Sequence, residues 1–290
     1  MAQLTESEIK ALITLLADED ERTSSVARRV LLESRDRALP YLQTATQSPD
    51  ALVRGRVRTL LDTIRLEGLE DRFRLLADET DAVQELETGC LLAAEYAYPD
   101  LDVAHYRSVL NDMAVDLSAI LPEMRDPHRV LSTLAEYLSR QRKLRGDDRY
   151  FQDPDASYLN RVLDRGIGIP ISLSAVYLLV GQRLNLPVYG VGLPGHFVVK
   201  WEDPNETVFV DPYNEGRFLS LEECRRLVEE SGHPFRESYL RAVSPRQMLA
   251  RLLTNLIWAY EQANDPVAAR QMARFRSILL SGRRRPTRSK

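Results

Sequence analysis

His196, in the run GHFVVKW, and Asp211, in the run TVFVDPY, are the residues of this chain whose types and spacing suit proton transfer. Held within hydrogen-bond reach, the carboxylate would orient the imidazole and stabilise its charged form. That is how a general base is prepared to activate a hydroxyl or a thiol. The same pair also serves in folded proteins as a buried histidine satisfied by a structural acid. The elements around the two side chains decide between these.

Both runs are rich in Val and Phe, and Glu202-Asp203-Pro204-Asn205 between them is a turn-type cluster, so they read as a hairpin with a four-residue loop. Symmetric pairing about that loop opposes Trp201 with Glu206, Val199 with Val208, Phe197 with Val210 and His196 with Asp211. Directly opposed residues have Cβ atoms roughly 4.5–5.5 Å apart, close enough for the carboxylate to accept from a ring nitrogen. Gly195 and Pro212 fit strand ends, where the backbone leaves the ladder and a side chain can meet a cleft.

Upstream, Pro170 to Leu184 is apolar on nearly every side and is predicted to be a central helix, with Pro170 in its first turn. Gly168 and Ile169 lead into that helix start, where oriented N–H groups favour a thiolate or an oxyanion. A nucleophile there, with the His/Asp hairpin behind it, would make a cysteine triad.

The blocks YPDLD at Tyr98–Asp102, SYLNRVL at Ser157–Leu163, GIPISLS, LPGHFVV and VDPYN occur in this order. Over roughly residues 80–240 the chain resembles the transglutaminase-like superfamily, and within it the SirB-type branch of bacterial proteins. The resemblance implies an α+β, predominantly helical fold, with a papain-like core in which a central helix packs on a small antiparallel sheet, flanked by helical repeats. It places His196 and Asp211 at the catalytic histidine and aspartate, and Gly168, Tyr158, Asn160, Gly195 and Asn214 around the cleft. Where the superfamily carries G-x-C, this chain has Gly168-Ile169-Pro170, so the sulfur position falls on Pro170. A shift of two residues brings Ser172 there instead. Serine is a weaker nucleophile than a thiolate unless a base contacts it directly.

The two thiols, Cys90 and Cys224, lie in helical runs away from that position. Cys90 reads as a small buried core residue, and acidic neighbours of Cys224 would raise its pKa. Two cysteines form no disulfide framework, the four histidines are scattered, and no spacing suggests a metal site or a cofactor. The chain of 290 residues is 44% hydrophobic and 28% charged, with a net charge of -4 and no dominant basic or acidic domain. Neither nucleic acid nor membrane is expected as a partner. The early acids of MAQLTESEIK do not resemble a signal peptide, and the expected location is cytoplasmic.

Residues 1–72 carry helical spacing at Leu4, Ile9, Leu12, Val26, Val30, Val53 and Val57. V-x-x-R-V recurs at Val26 and Val53, with Pro40 and Pro49 punctuating the connections, which resembles HEAT-type repeats; a plain helical extension reads equally well. Residues 73–243 are assigned to the core and 244–281 to two helices around Asn264-Asp265-Pro266, resembling one tetratricopeptide-like hairpin. Residues 282–290 read as a basic, disordered tail. Two functions follow from the missing cysteine. The favoured one is a pseudoenzyme that binds a protein or peptide; the alternative is a serine-dependent hydrolase or acyl transferase using Ser172, His196 and Asp211, with Ser174 as a lesser candidate nucleophile.

Overall fold

The chain of the computed structural model, described over residues 4–79, 82–121 and 126–282, divides into two units, Met1–Arg72 and Phe73–Lys290. The predicted basic tail lies, from residue 283 onward, outside the described residues. The first unit holds α1 (Glu6–Leu15), α2 (Glu21–Glu33), α3 (Arg35–Ala45) and most of α4 (Ala51–Ala77). Side-chain caps set the starts: Thr5 and Glu8 bond each other's backbone N–H, and Asp20 and Asp50 accept from the first turns of α2 and α4. Ile9, Ile13, Leu31, Leu42 and Val57 form the core.

Two readings change here. Pro40 lies inside α3 rather than in a connection. Val26 is 49% exposed, whereas Ala27 and Leu31 of the same helix are buried. The V-x-x-R-V echo therefore does not place equivalent side chains inward, since Val53 and Val57 are both buried. Local spacing sets which residues share a face; the neighbouring helices set which face is covered.

The second unit opens with α5 (Ala82–Ala97), α6 (Val103–Ile120), α7 (Pro127–Glu136) with a π turn after it, and α8 (Leu159–Arg165). Next comes α9 (Pro170–Arg183), buried at every residue from Pro170 to Gly181. It packs against the sheet on one side and against α5, α6 and α8 elsewhere, which is why it is apolar all round. Its first turn is closed by Ser172, whose Oγ accepts from the Ile169 N–H at 3.0 Å and donates to the Ala156 carbonyl at 2.6 Å. Ser174, fully buried on the same helix, has no hydrogen-bond partner for its hydroxyl among the described residues.

Four antiparallel strands follow in the order β1 (Val188–Val191), β2 (Val198–Glu202), β3 (Thr207–Asp211) and β4 (Arg217–Leu219). The central pair aligns Val199 with Val210, Trp201 with Val208 and Glu202 with Thr207. The loop is therefore 203–206, one residue later than predicted, and every predicted pairing slips by two. An even slip keeps each side chain on its face. Asp203 explains the shift: its carboxylate accepts from Trp201 Nε1 at 2.8 Å, Asn205 N at 2.8 Å and Glu206 N at 3.0 Å, so the turn closes around it. The chain continues through α10 (Leu221–Glu230), α11 (Pro245–Gln262) and α12 (Pro266–Ser281), the last two joined by the Asn264-Asp265 turn.

The two serines of α9 should respond in opposite ways to truncation. Ser172→Ala removes a bonded buried hydroxyl and is expected to destabilise the fold by about 1–3 kcal/mol. Ser174→Ala removes an unpartnered one and should be neutral or stabilising. Urea unfolding of the two variants checks both, and equal losses would contradict the difference in bonding.

Candidate functional site

His196 lies just before β2, at the end of a turn that fixes its direction. The His196 N–H donates to the Leu193 carbonyl at 3.2 Å, Pro194 occupies the second turn position, and Gly195 has φ +75°. Pro followed by a residue of positive φ is the pattern of a type II turn. A Cβ on Gly195 would lie 2.5 Å from Ser231 Cβ, so packing as well as backbone conformation calls for glycine. From α11, Arg251 Nη2 donates to the carbonyls of Leu193 at 2.6 Å and His196 at 2.7 Å, holding both ends of the turn. Its guanidinium carbon lies 5.5 Å from the centre of the Phe197 ring.

His196 Nε2 is 2.9 Å from Asp211 Oδ2. The contact was predicted from direct cross-strand opposition, and that route is incorrect: the β2/β3 ladder begins at the Val199–Val210 pair, and the turn, not the ladder, delivers the imidazole. Asp211 is fully buried at the end of β3. Its Oδ1 accepts from Tyr213 N at 3.0 Å and Asn214 N at 3.4 Å, and its Oδ2 from Asn214 Nδ2 at 2.7 Å as well as from His196. Burial pushes its pKa up, but the bonds from His196 and Asn214 outweigh burial and hold the carboxyl below the usual value. An ionised carboxylate only accepts, so Nε2 carries the hydrogen. In the neutral ring Nδ1 is then the acceptor, and it makes no hydrogen bond among the described residues. The Tyr213 ring stands edge-on to the imidazole, 6.0 Å between centres.

A cavity of about 300 Å³ opens beside His196. Gly195, His196 and Phe197 form one wall, and Pro170 and Ile171 at the start of α9 form another. Arg251, Asn255 and Trp258 reach it from α11, and Phe151 from the segment before α8. Phe151 and Trp258 meet edge to face at 6.1 Å and are 41% and 37% exposed.

The candidate residues separate around this cavity. Gly195 and His196 line it, as does Pro170, and Asp211 and Asn214 stand behind the imidazole. Ser172 and Ser174 are not in the lining; Ser172 directs its hydroxyl to the Ala156 and Ile169 carbonyls. Tyr158 is buried with its hydroxyl 2.7 Å from that of Tyr260, and Asn160 is buried with Oδ1 unpartnered. Gly168 packs its backbone against Ser172 and Leu173. None of these three lines the cavity. Burial pushes the Cys90 thiol up to about 12 and the Cys224 thiol up to about 11, with nearby carboxylates adding to both. Burial, rather than the acidic neighbours emphasised by the sequence reading, leads at Cys224.

Phe151, Arg251, Asn255 and Trp258 were not anticipated. The spacing 251, 255, 258 is i, i+4, i+7, so one stripe of α11 is involved. A single Arg on such a stripe reads from sequence as a solvated position. Among the described residues no group of His, Cys, Asp and Glu could hold a metal ion, and no helix is long and apolar enough to cross a membrane.

Residues 104–254 match the sequence model of the transglutaminase-like superfamily. A UPF0162 protein of Xylella fastidiosa is 32% identical over 195 residues, covering 65% of this chain and 69% of that protein. A UPF0162 protein of Pseudomonas aeruginosa is 32% identical over 197 residues, with 67% and 70% covered. F-box only protein 21 of mouse is 28% identical over 148 residues, which are 48% of this chain and 23% of that protein. No solved structure matches the chain.

Asp211→Ala leaves the donors on His196 and Asn214 unmatched in a buried site and is expected to cost about 3–5 kcal/mol in chemical unfolding. The pH response has a definite sign. Asp211 has a native pKa below 3.8, so its stabilisation is complete above that value and is lost as pH falls through the native pKa. In Asp211→Asn the acid limb of the stability curve should flatten; an unchanged limb would mean that other carboxylates govern it.

Proposed function

Because the chain belongs to the transglutaminase-like superfamily, we propose that it is a member without the catalytic cysteine, a protein- or peptide-binding pseudoenzyme that retains the His196/Asp211 pair. The observation that carries the reading is Pro170. It lines the cavity together with His196, at the helix start where a thiol would be needed, and it offers neither a nucleophile nor an N–H.

The remaining nucleophiles give no support to catalysis. Ser172 donates its proton to a carbonyl, and an attacking serine must instead donate to the base. The buried Cys224 and Cys90 thiols are outside the lining and stay protonated near neutral pH. The paired histidine then has two consequences without chemistry. It satisfies a buried carboxylate, and it contributes its ring to the lining of the cavity. An apolar cavity with a few convergent polar groups is the usual form of a small binding site. In this reading the HEAT-like extension and the tetratricopeptide-like hairpin, α11 and α12, serve as the helical flanks of a binding module.

Two labelling experiments test it. A serine-directed fluorophosphonate should leave the protein unmodified, with intact mass and peptide mapping as the readout. Stoichiometric labelling of Ser172 or Ser174 that disappears in His196→Ala would overturn the pseudoenzyme. In the complementary experiment, Pro170→Cys should create a thiol that iodoacetamide modifies about tenfold faster than Cys90 or Cys224 and more slowly again without His196. A Pro170→Cys thiol as inert as the buried pair would show that this helix start is not the superfamily's nucleophile position.

A further inference from the structure

Arg251 is a charged side chain with an incomplete set of partners. Its Nη2 is satisfied by the Leu193 and His196 carbonyls, but Nε and Nη1 make no hydrogen bond, and no carboxylate pairs with it among the described residues. Desolvation alone perturbs its titration, downward, with no neighbouring charge contributing. Among the described residues it is the one permanently charged residue in the lining of the cavity beside His196. A desolvated cation without a counter-charge is costly, and an arginine whose Nη2 is already anchored on two carbonyls keeps Nε–H and Nη1–H as separate charge-assisted donors. Asn255, one turn along α11, likewise makes no side-chain hydrogen bond among the described residues. The Phe151–Trp258 pair and the Pro170–Ile171 wall supply apolar surface next to these donors.

Size and charge narrow the ligand. About 300 Å³ is at the lower end of small-ligand cavities, roughly 300–1,000 Å³, and suits one residue rather than a folded surface. One positive charge matches a monoanion, and a phosphate dianion would leave excess negative charge. The last residue of a peptide carries a carboxylate and a side chain on the same Cα, which suits a cation and an aromatic rim side by side.

We infer that the cavity captures the C-terminal carboxylate of a peptide ending in an apolar residue, with Arg251 as the cation and Phe151 and Trp258 around the terminal side chain. The inference rests on the peptide-binding reading and names the chemistry of its ligand.

The test is calorimetric titration of the full chain with acetyl-Ala-Ala-Leu as the free acid and as the C-terminal amide. The acid is expected to bind and the amide to bind about tenfold to hundredfold more weakly, the loss associated with a charge-assisted pair. Arg251→Gln should abolish the difference between acid and amide. Because Arg251 also holds the His196 turn, Trp258→Ala provides a second variant, expected to weaken acid and amide alike. Equal binding of acid and amide by the unmodified protein would overturn the inference and leave peptide binding standing. Binding of an amidated peptide with an internal aspartate as tight as that of the acid would overturn the terminal assignment, and competition by inorganic phosphate as strong as by acetyl-leucine would overturn the monoanion. Binding of neither peptide would also overturn it, whereas the pseudoenzyme reading itself is tested separately, by the serine and Pro170→Cys labelling.

Discussion

The site depends on keeping an ionised carboxylate inside protein. Asp211 has no exposed surface, and an unpaired carboxylate there would be expensive. Four donors meet it: the imidazole, two backbone N–H groups and the Asn214 amide. Each donor constrains an element. The backbone pair winds the chain into a short turn after β3, Asn214 is drawn back over the strand end, and His196 is fixed in one tautomer. The pair is therefore structural whether or not a nucleophile faces it, and its presence alone does not mark an enzyme.

Arg251 bears on the same geometry from the other side. By bonding both carbonyls that bracket the Leu193–His196 turn, it couples α11 to the loop that aims the imidazole. The C-terminal helices are thus part of the site's framework. Arg251 is at once the clamp of the histidine turn and the charge in the cavity.

At the start of α9 proline takes the first helical turn, beside the cavity that His196 also lines. Proline stabilises the helix start, and Ser172 completes it by accepting the Ile169 N–H. Both residues that could have carried a reacting atom are engaged in beginning the helix.

Elements governed by near neighbours in the chain were legible. The wholly apolar run from Pro170, the hairpin around a polar tetrapeptide and the Asn264-Asp265 break follow from periodicity and turn chemistry, which act over a few residues. Even the misplaced register kept the paired residues of β2 and β3 on their faces, because a slip of two preserves the alternation of a strand; His196 lies outside that ladder and is delivered by the Leu193–His196 turn. What depended on side chains distant in sequence was not legible. The bond from Ser172 to the Ala156 carbonyl, the orientation of Val26 to solvent, and the convergence of Phe151, Arg251 and Trp258 on His196 exist only after helices and sheet have packed. The sequence by itself determined which elements form and which residue types a site would contain; tertiary structure decided which hydroxyl is committed to a carbonyl and which charge is left without a partner, because burial and pairing are properties of the packed neighbours.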